Sequence, residues 1–195
     1  MDYKAILSAA SILIQVSAYL VYFFGVYKGT TKPHAFTWLV WGILSTIGFF
    51  AALTTDGYAV ASVLGINVVG CIITSIIGFY QNRIEYDKYD WLALIGAFVG
   101  IILWQITHTP LYAVFLISLS DMIGIVPTIR KAYVLPHEEN LGSFVIGIFY
   151  YVLAISALES FELTNWFYPA AIVFSDLALI LVIIVRRKRI SSLVK

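Results

Sequence analysis

The chain has 195 residues, 61% of them hydrophobic and 12% charged, where a soluble domain carries roughly 45–50% apolar and about 25% charged residues. No soluble fold of this length hides so much apolar surface, so most of it is expected to face lipid. A net charge of +1 gives no footing for a nucleic-acid partner, and the single cysteine, Cys71, excludes a disulfide or cysteine-based metal framework.

In chain order, seven apolar stretches bounded by turn residues or charge predict helices over 5–27, 35–54, 58–81, 91–107, 111–134, 142–160 and 165–186. Most approach the roughly 20 residues a helix needs to cross a bilayer, where helices satisfy every backbone polar group internally. The first is expected to be a retained span, because Gln15 and Ser17 interrupt its apolar run and no clear small-residue cleavage site follows. The fourth is the shortest. The connections are short, and the polar segment QNRIEYDKYD (81–90) is the longest of them.

Lysine and arginine counts set the expected orientation. The loops after the first, third and fifth helices, with the C-terminal tail, hold eleven of the twelve basic residues, leaving only Lys4 on the other side. The N-terminus is therefore expected outside and the C-terminus in the cytoplasm.

The two halves repeat. Residue 17 laid on residue 120 pairs Ser17 with Ser120, Lys28 with Lys131, Pro33 with Pro136 and His34 with His137. After small insertions Gly42 meets Gly147 and Asn67 meets Asp176. Hydrophobicity does not select Lys, Pro or His, so these matches weigh more than the apolar ones. Helices one to three become equivalent to helices five to seven. An unpaired fourth helix is then needed for two odd-numbered bundles to point the same way. The predicted fold is all-α and membrane-integral: a first bundle (1–81), a loop and linker helix (82–110), and a second bundle with a basic tail (111–195).

The segment VPTIRKAY (126–133) followed by GSF (142–144) resembles the PQ-loop signature. With the 3+1+3 plan, the chain is similar to the SWEET and wider PQ-loop transporters, a plan shared by PnuC-type vitamin transporters. Helix one departs from the signature, with Phe24-Gly25 where the second half has Pro127-Thr128. The chain also looks like small bacterial membrane proteins with KPHxxxWxxW and PHEE segments, which implies a bacterial inner-membrane location. The resemblance implies an amide in the third helix of each bundle against substrate. Here Asn67 fills one such place, and Asp176 the other, a departure from a site for neutral sugars.

Asp121 and Asp176 each lie about ten residues into their helices, where a carboxylate costs several kcal/mol unless paired, protonated or wet. They are candidates for substrate binding or proton coupling, or else interhelical hydrogen-bonding groups. Asn67 offers donor and acceptor to a ligand or to a neighbouring helix. Trp38, Trp41 and Ser45 share one helix face, suited to rings or organic cations. The other reading of the tryptophans is an interfacial belt. Ser17 and Ser120 could flank the same cavity or simply pack. Pro127 should kink the fifth helix. Pro33 and Pro136 mark equivalent hinges, and Glu138 and Glu139 could pair with Arg130, Lys131 or the other loop to form a gate. They could equally favour the dipole of the following helix.

No catalytic or nucleotide-binding motif occurs, and neither His34 nor His137 has metal-ligand spacing. The expected function is a cofactor-free transporter or facilitator of a small polar solute such as a sugar, vitamin-like molecule or cationic metabolite. The alternative is a receptor or assembly subunit whose acids are structural. The bilayer, the solute and further copies of the chain are the expected partners.

Overall fold

A computed structural model describes residues 3–81 and 88–193; Arg83 and most of the 81–90 segment lie outside the described residues. The described chain is helical, with no strand. α1 (Tyr3–Tyr27), α2 (Ala35–Leu53), α3 (Tyr58–Tyr80) and α4 (Lys88–Thr107) are followed by α5 (Pro110–Gly124) and α6 (Val126–Val134). A 3-10 turn (Pro136–Glu138), α7 (Leu141–Ser156) and α8 (Leu163–Leu193) complete it.

Among the described residues, five stretches are long and apolar enough to cross a membrane: α1, α2, α3, the path Pro110–Val134 and Leu163–Ser192 of α8. At 1.5 Å per residue, the 25 residues of α1 reach about 37 Å, enough for a hydrocarbon core of about 30 Å. The apolar part of α4 (Trp91–Thr107) and α7 (Leu141–Ser156) are shorter. The boundaries differ from expectation where charge and turn chemistry act: α7 stops at Ser156, and α8 carries its basic tail helically to Leu193.

Local chemistry explains the breaks. Gly29 takes φ +72° just after α1, a conformation that glycine adopts without steric cost. It turns the chain out of α1, and Pro33, the expected hinge, lies in the loop leading to the next helix. The Thr37 amide donates to Nδ1 of His34, which caps α2, and the Ser143 amide donates to Oδ1 of Asn140, which caps α7. The predicted kink at Pro127 takes the form of a helix break at Ile125, two residues earlier, because proline has no N–H to close the ladder there.

α2 lies along α3, α4 along α5, and α1 along α7; α8 packs on both α5 and α7, and α2 also meets α5. Small residues with no exposed surface, among them Ala51, Ala93, Ala97, Ala113 and Ala154, let the helices approach closely. Large apolar side chains such as Leu13, Leu20, Ile72, Phe98, Phe174 and Leu181 point outward, as a lipid-facing surface requires.

Candidate functional site

A cavity lies at the centre of the helices. It is lined from α1, α2, α3, α5, α7 and α8, and among the described residues by nothing from α4. It leaves about 70 Å³ for the centres of water-sized molecules, room for several waters in a polar setting.

The midplane candidates converge there. Asp121 of α5, Asp176 of α8, Asn67 of α3, and Trp41 and Ser45 of α2 all line the cavity. Both carboxylates are buried, at 5% and 8% exposure. Gly147 makes room for the second: a Cβ there would stand 3.3 Å from Oδ2 of Asp176. Asn67 is held from two sides. Its Nδ2 donates to Ser45 Oγ at 2.8 Å, and its Oδ1 accepts from the Tyr19 hydroxyl at 2.7 Å. Tyr19 reaches it because Gly70 leaves the space its ring fills; a Cβ at Gly70 would lie 2.0 Å from Tyr19 Cζ.

The remaining wall is largely aromatic. Trp38 lies 4.8 Å from Tyr22 and 5.2 Å from Trp41 between ring centroids, in a cluster that lines the cavity. It is thus a cavity residue. Tyr150, Tyr151 and Phe144 of α7 and Tyr168 of α8 face them. Trp41 Nε1 and the Tyr151 hydroxyl are buried with no hydrogen-bond partner among the described residues.

Two expected residues stand elsewhere. Ser17 is exposed on the outer face of α1, its hydroxyl donating to Ile14 O. Ser120 is buried but faces α4, where a Cβ at Gly96 would meet its Oγ. Neither lines the cavity, so the pair does not flank it. The helical positions of residues 17 and 120 put them on the backs of α1 and α5, which spacing from one landmark could not reveal.

Above the Tyr22–Trp38 contact, one end of the helices is bound by charge. Lys32, in the loop after α1, pairs with Glu138 of the 3-10 turn, and the Lys32 amide donates to Glu138 O at 3.2 Å. Lys131 of α6 pairs with Glu139 at 2.7 Å and also donates to Lys32 O. Arg187 of α8 donates to the carbonyls of Pro136 and Glu139 at 3.0 and 2.8 Å. Both expected glutamates thus have basic partners, Glu138 in the other half's loop. Burial pushes the Glu139 carboxyl above its usual range, against the opposing pull of the Lys131 ammonium. Pro136 opens the 3-10 turn that carries Glu138, and Glu139 follows it directly.

The opposite end is held by a residue that the sequence did not single out. Asn165 is fully buried, accepts from Thr55 Oγ1 and donates to Thr55 O at 3.0 Å and Ser160 O at 3.3 Å. It ties the start of α8 to the α2–α3 turn. Deeper, Gln15 Nε2 donates to Val63 O at 2.8 Å.

Fold and site together define a multi-pass helical protein with an acid-bearing aromatic cavity enclosed by six helices. No family model, curated protein or solved structure matches the chain.

Proposed function

We propose that the chain is a transporter or facilitator of a small polar solute, built as two parallel three-helix bundles (α1–α3, and α5 with α6, α7 and α8) joined by α4. The single observation that carries the reading is the central cavity. It draws on all three members of each set, omits the linker, and gathers Asp121, Asp176 and Asn67 at one place. The packing supports the bundle plan, because its pairs come in equivalents: α2 on α3 with α7 on α8, α1 on α3 with α5 on α8, and α1 on α7 with α5 on α2.

Ser17 and Ser120 fit the same plan. They are equivalent positions, and the face of α5 that α4 covers is the face that α1 leaves open. The positive-inside count places the ion-paired end in the cytoplasm. In this reading the charge layer and the Asn165 clasp are the two gates, the cavity between them is the solute site, and no bond in the solute is made or broken.

Cys71 gives a test that needs no substrate. It is the only cysteine, lines the cavity and is buried. A cavity that opens to water in turn on each side will let a charged, water-soluble thiol reagent modify Cys71 in folded, membrane-embedded protein. A receptor or assembly subunit whose acids are packing groups has no such opening. In that case Cys71 will react only after denaturation, and the transport reading is lost.

A further inference from the structure

The cavity's chemistry narrows the solute. Two carboxylates share one cavity, and among the described residues no lysine, arginine or histidine lines it. Lys32 and Lys131 are engaged with Glu138 and Glu139 at the charge layer. Buried carboxylates without a counter-charge are costly, so the site favours an occupant that brings positive charge. Around them stand Trp38, Trp41, Tyr19, Tyr22, Tyr150 and Tyr151, whose ring faces attract an ammonium or alkylammonium group. Beyond Asp121, Asp176 and Cys71, no His, Cys, Asp or Glu lines the cavity, and no group of such residues that could hold a metal ion occurs among the described residues. An organic cation therefore fits better than a coordinated metal. The unpartnered Trp41 Nε1 and Tyr151 hydroxyl are hydrogen-bond donors at the same wall, suited to an acceptor such as a hydroxyl oxygen on the solute.

We infer that the cavity takes a small organic cation, with an ammonium head against Asp121 and Asp176 inside the aromatic walls and a hydrogen-bond acceptor toward Trp41 and Tyr151. This rests on the reading of the cavity as a solute site.

The test uses the purified full-length chain and the intrinsic fluorescence of its tryptophans, two of which line the cavity. Choline is titrated against 3,3-dimethylbutan-1-ol, the same shape with carbon in place of charged nitrogen, and ethanolamine against ethylene glycol. The expected result is saturable binding of a cation, with its neutral partner weaker by about tenfold or more. Asp176→Asn and Asp121→Asn, checked for an unaltered helical spectrum, should each erode that preference. Equal or better binding of the neutral member, or saturable binding of neither pair, overturns the inference. If the Asn variants do not fold, the wild-type comparison of charged and neutral isosteres still decides. Proteoliposome uptake separates the two readings. A cation that binds but is never taken up sinks transport and leaves the cation site standing. Uptake of a neutral solute without cation binding does the reverse.

Discussion

At the scale of single residues, the position of Asn67 depends on a glycine one turn away. Gly70 lets the Tyr19 ring lie against α3, and the Tyr19 hydroxyl then fixes the amide's oxygen while Ser45 takes its nitrogen. A methyl at residue 70 cannot coexist with that ring, whose far end is tied by its own hydrogen bond. Gly70→Ala is expected to lower stability by about 1–3 kcal/mol, the usual range for overpacking a filled site, read as a lower midpoint in a thermal melt. Tyr19→Phe, which keeps the ring and loses only the hydroxyl, should cost less, about 1 kcal/mol. A Gly70→Ala protein that melts with the wild type would show that Tyr19 does not occupy this position. Asn67, Asp121, Asp176 and Trp41 were legible in the sequence because polar groups deep in apolar helices are conspicuous. Tyr19, Tyr22 and Tyr168 were not, because an aromatic in an apolar helix looks alike whether it faces lipid or a cavity. The buried stripe of α1 (Ser11, Gln15, Ala18, Tyr22, Gly25) does carry a usable signal, since small and polar residues recur on it at helical spacing.

At the scale of elements, the loops are where sequence pattern served best and least. The repeated Lys, Pro and His fall in two connections that meet in space, and the acids after Pro136 do meet basic residues. Which lysine each would choose depended on the close approach of the α1–α2 loop to the 3-10 turn, a tertiary fact. Two local details were not foreseen: α1 ends at Tyr27 as expected but turns out through Gly29, with positive φ, and the backbone break of the fifth helix falls at Ile125 ahead of Pro127. The charge layer predicts its own behaviour. Partly exposed ion pairs contribute only about 0.2–1 kcal/mol, so reversing one should leave the melt nearly unchanged while altering access to the cavity. Lys32→Glu, facing Glu138, should speed modification of Cys71 by the charged thiol reagent. The double reversal Lys32→Glu with Glu138→Lys should restore the slower rate. If the double reversal labels as fast as the single one, the Lys32–Glu138 pair does not restrain the cavity.

At the scale of the whole molecule, the apolar outer surface and the buried charge impose one geometry on the bilayer. In the sequence, eleven of the twelve basic residues fall in the connections and tail expected on one side and only Lys4 on the other, where it donates to the Leu158 carbonyl at 2.9 Å. Under the positive-inside rule the ion-paired end and the tail of α8 are expected in the cytoplasm, with the Asn165 clasp outside. In the transport reading we propose, a solute arriving from outside would pass the Thr55–Asn165 contacts before reaching Asp176 and would leave past Lys32 and Glu138. Two exposed positions at opposite ends decide it: Glu159, between α7 and α8, and Ser192, in the last turns of α8. In a Cys71→Ala background, Glu159→Cys should react with a membrane-impermeant thiol reagent on intact cells, and Ser192→Cys only once the membrane is permeabilised. The opposite pattern would invert the chain and exchange the roles of the two gates, while leaving the cavity between them unchanged. Labelling of both on intact cells would place both ends of α8 on one side of the membrane, which a spanning Leu163–Ser192 segment cannot satisfy, and the spanning arrangement of α8 would fall.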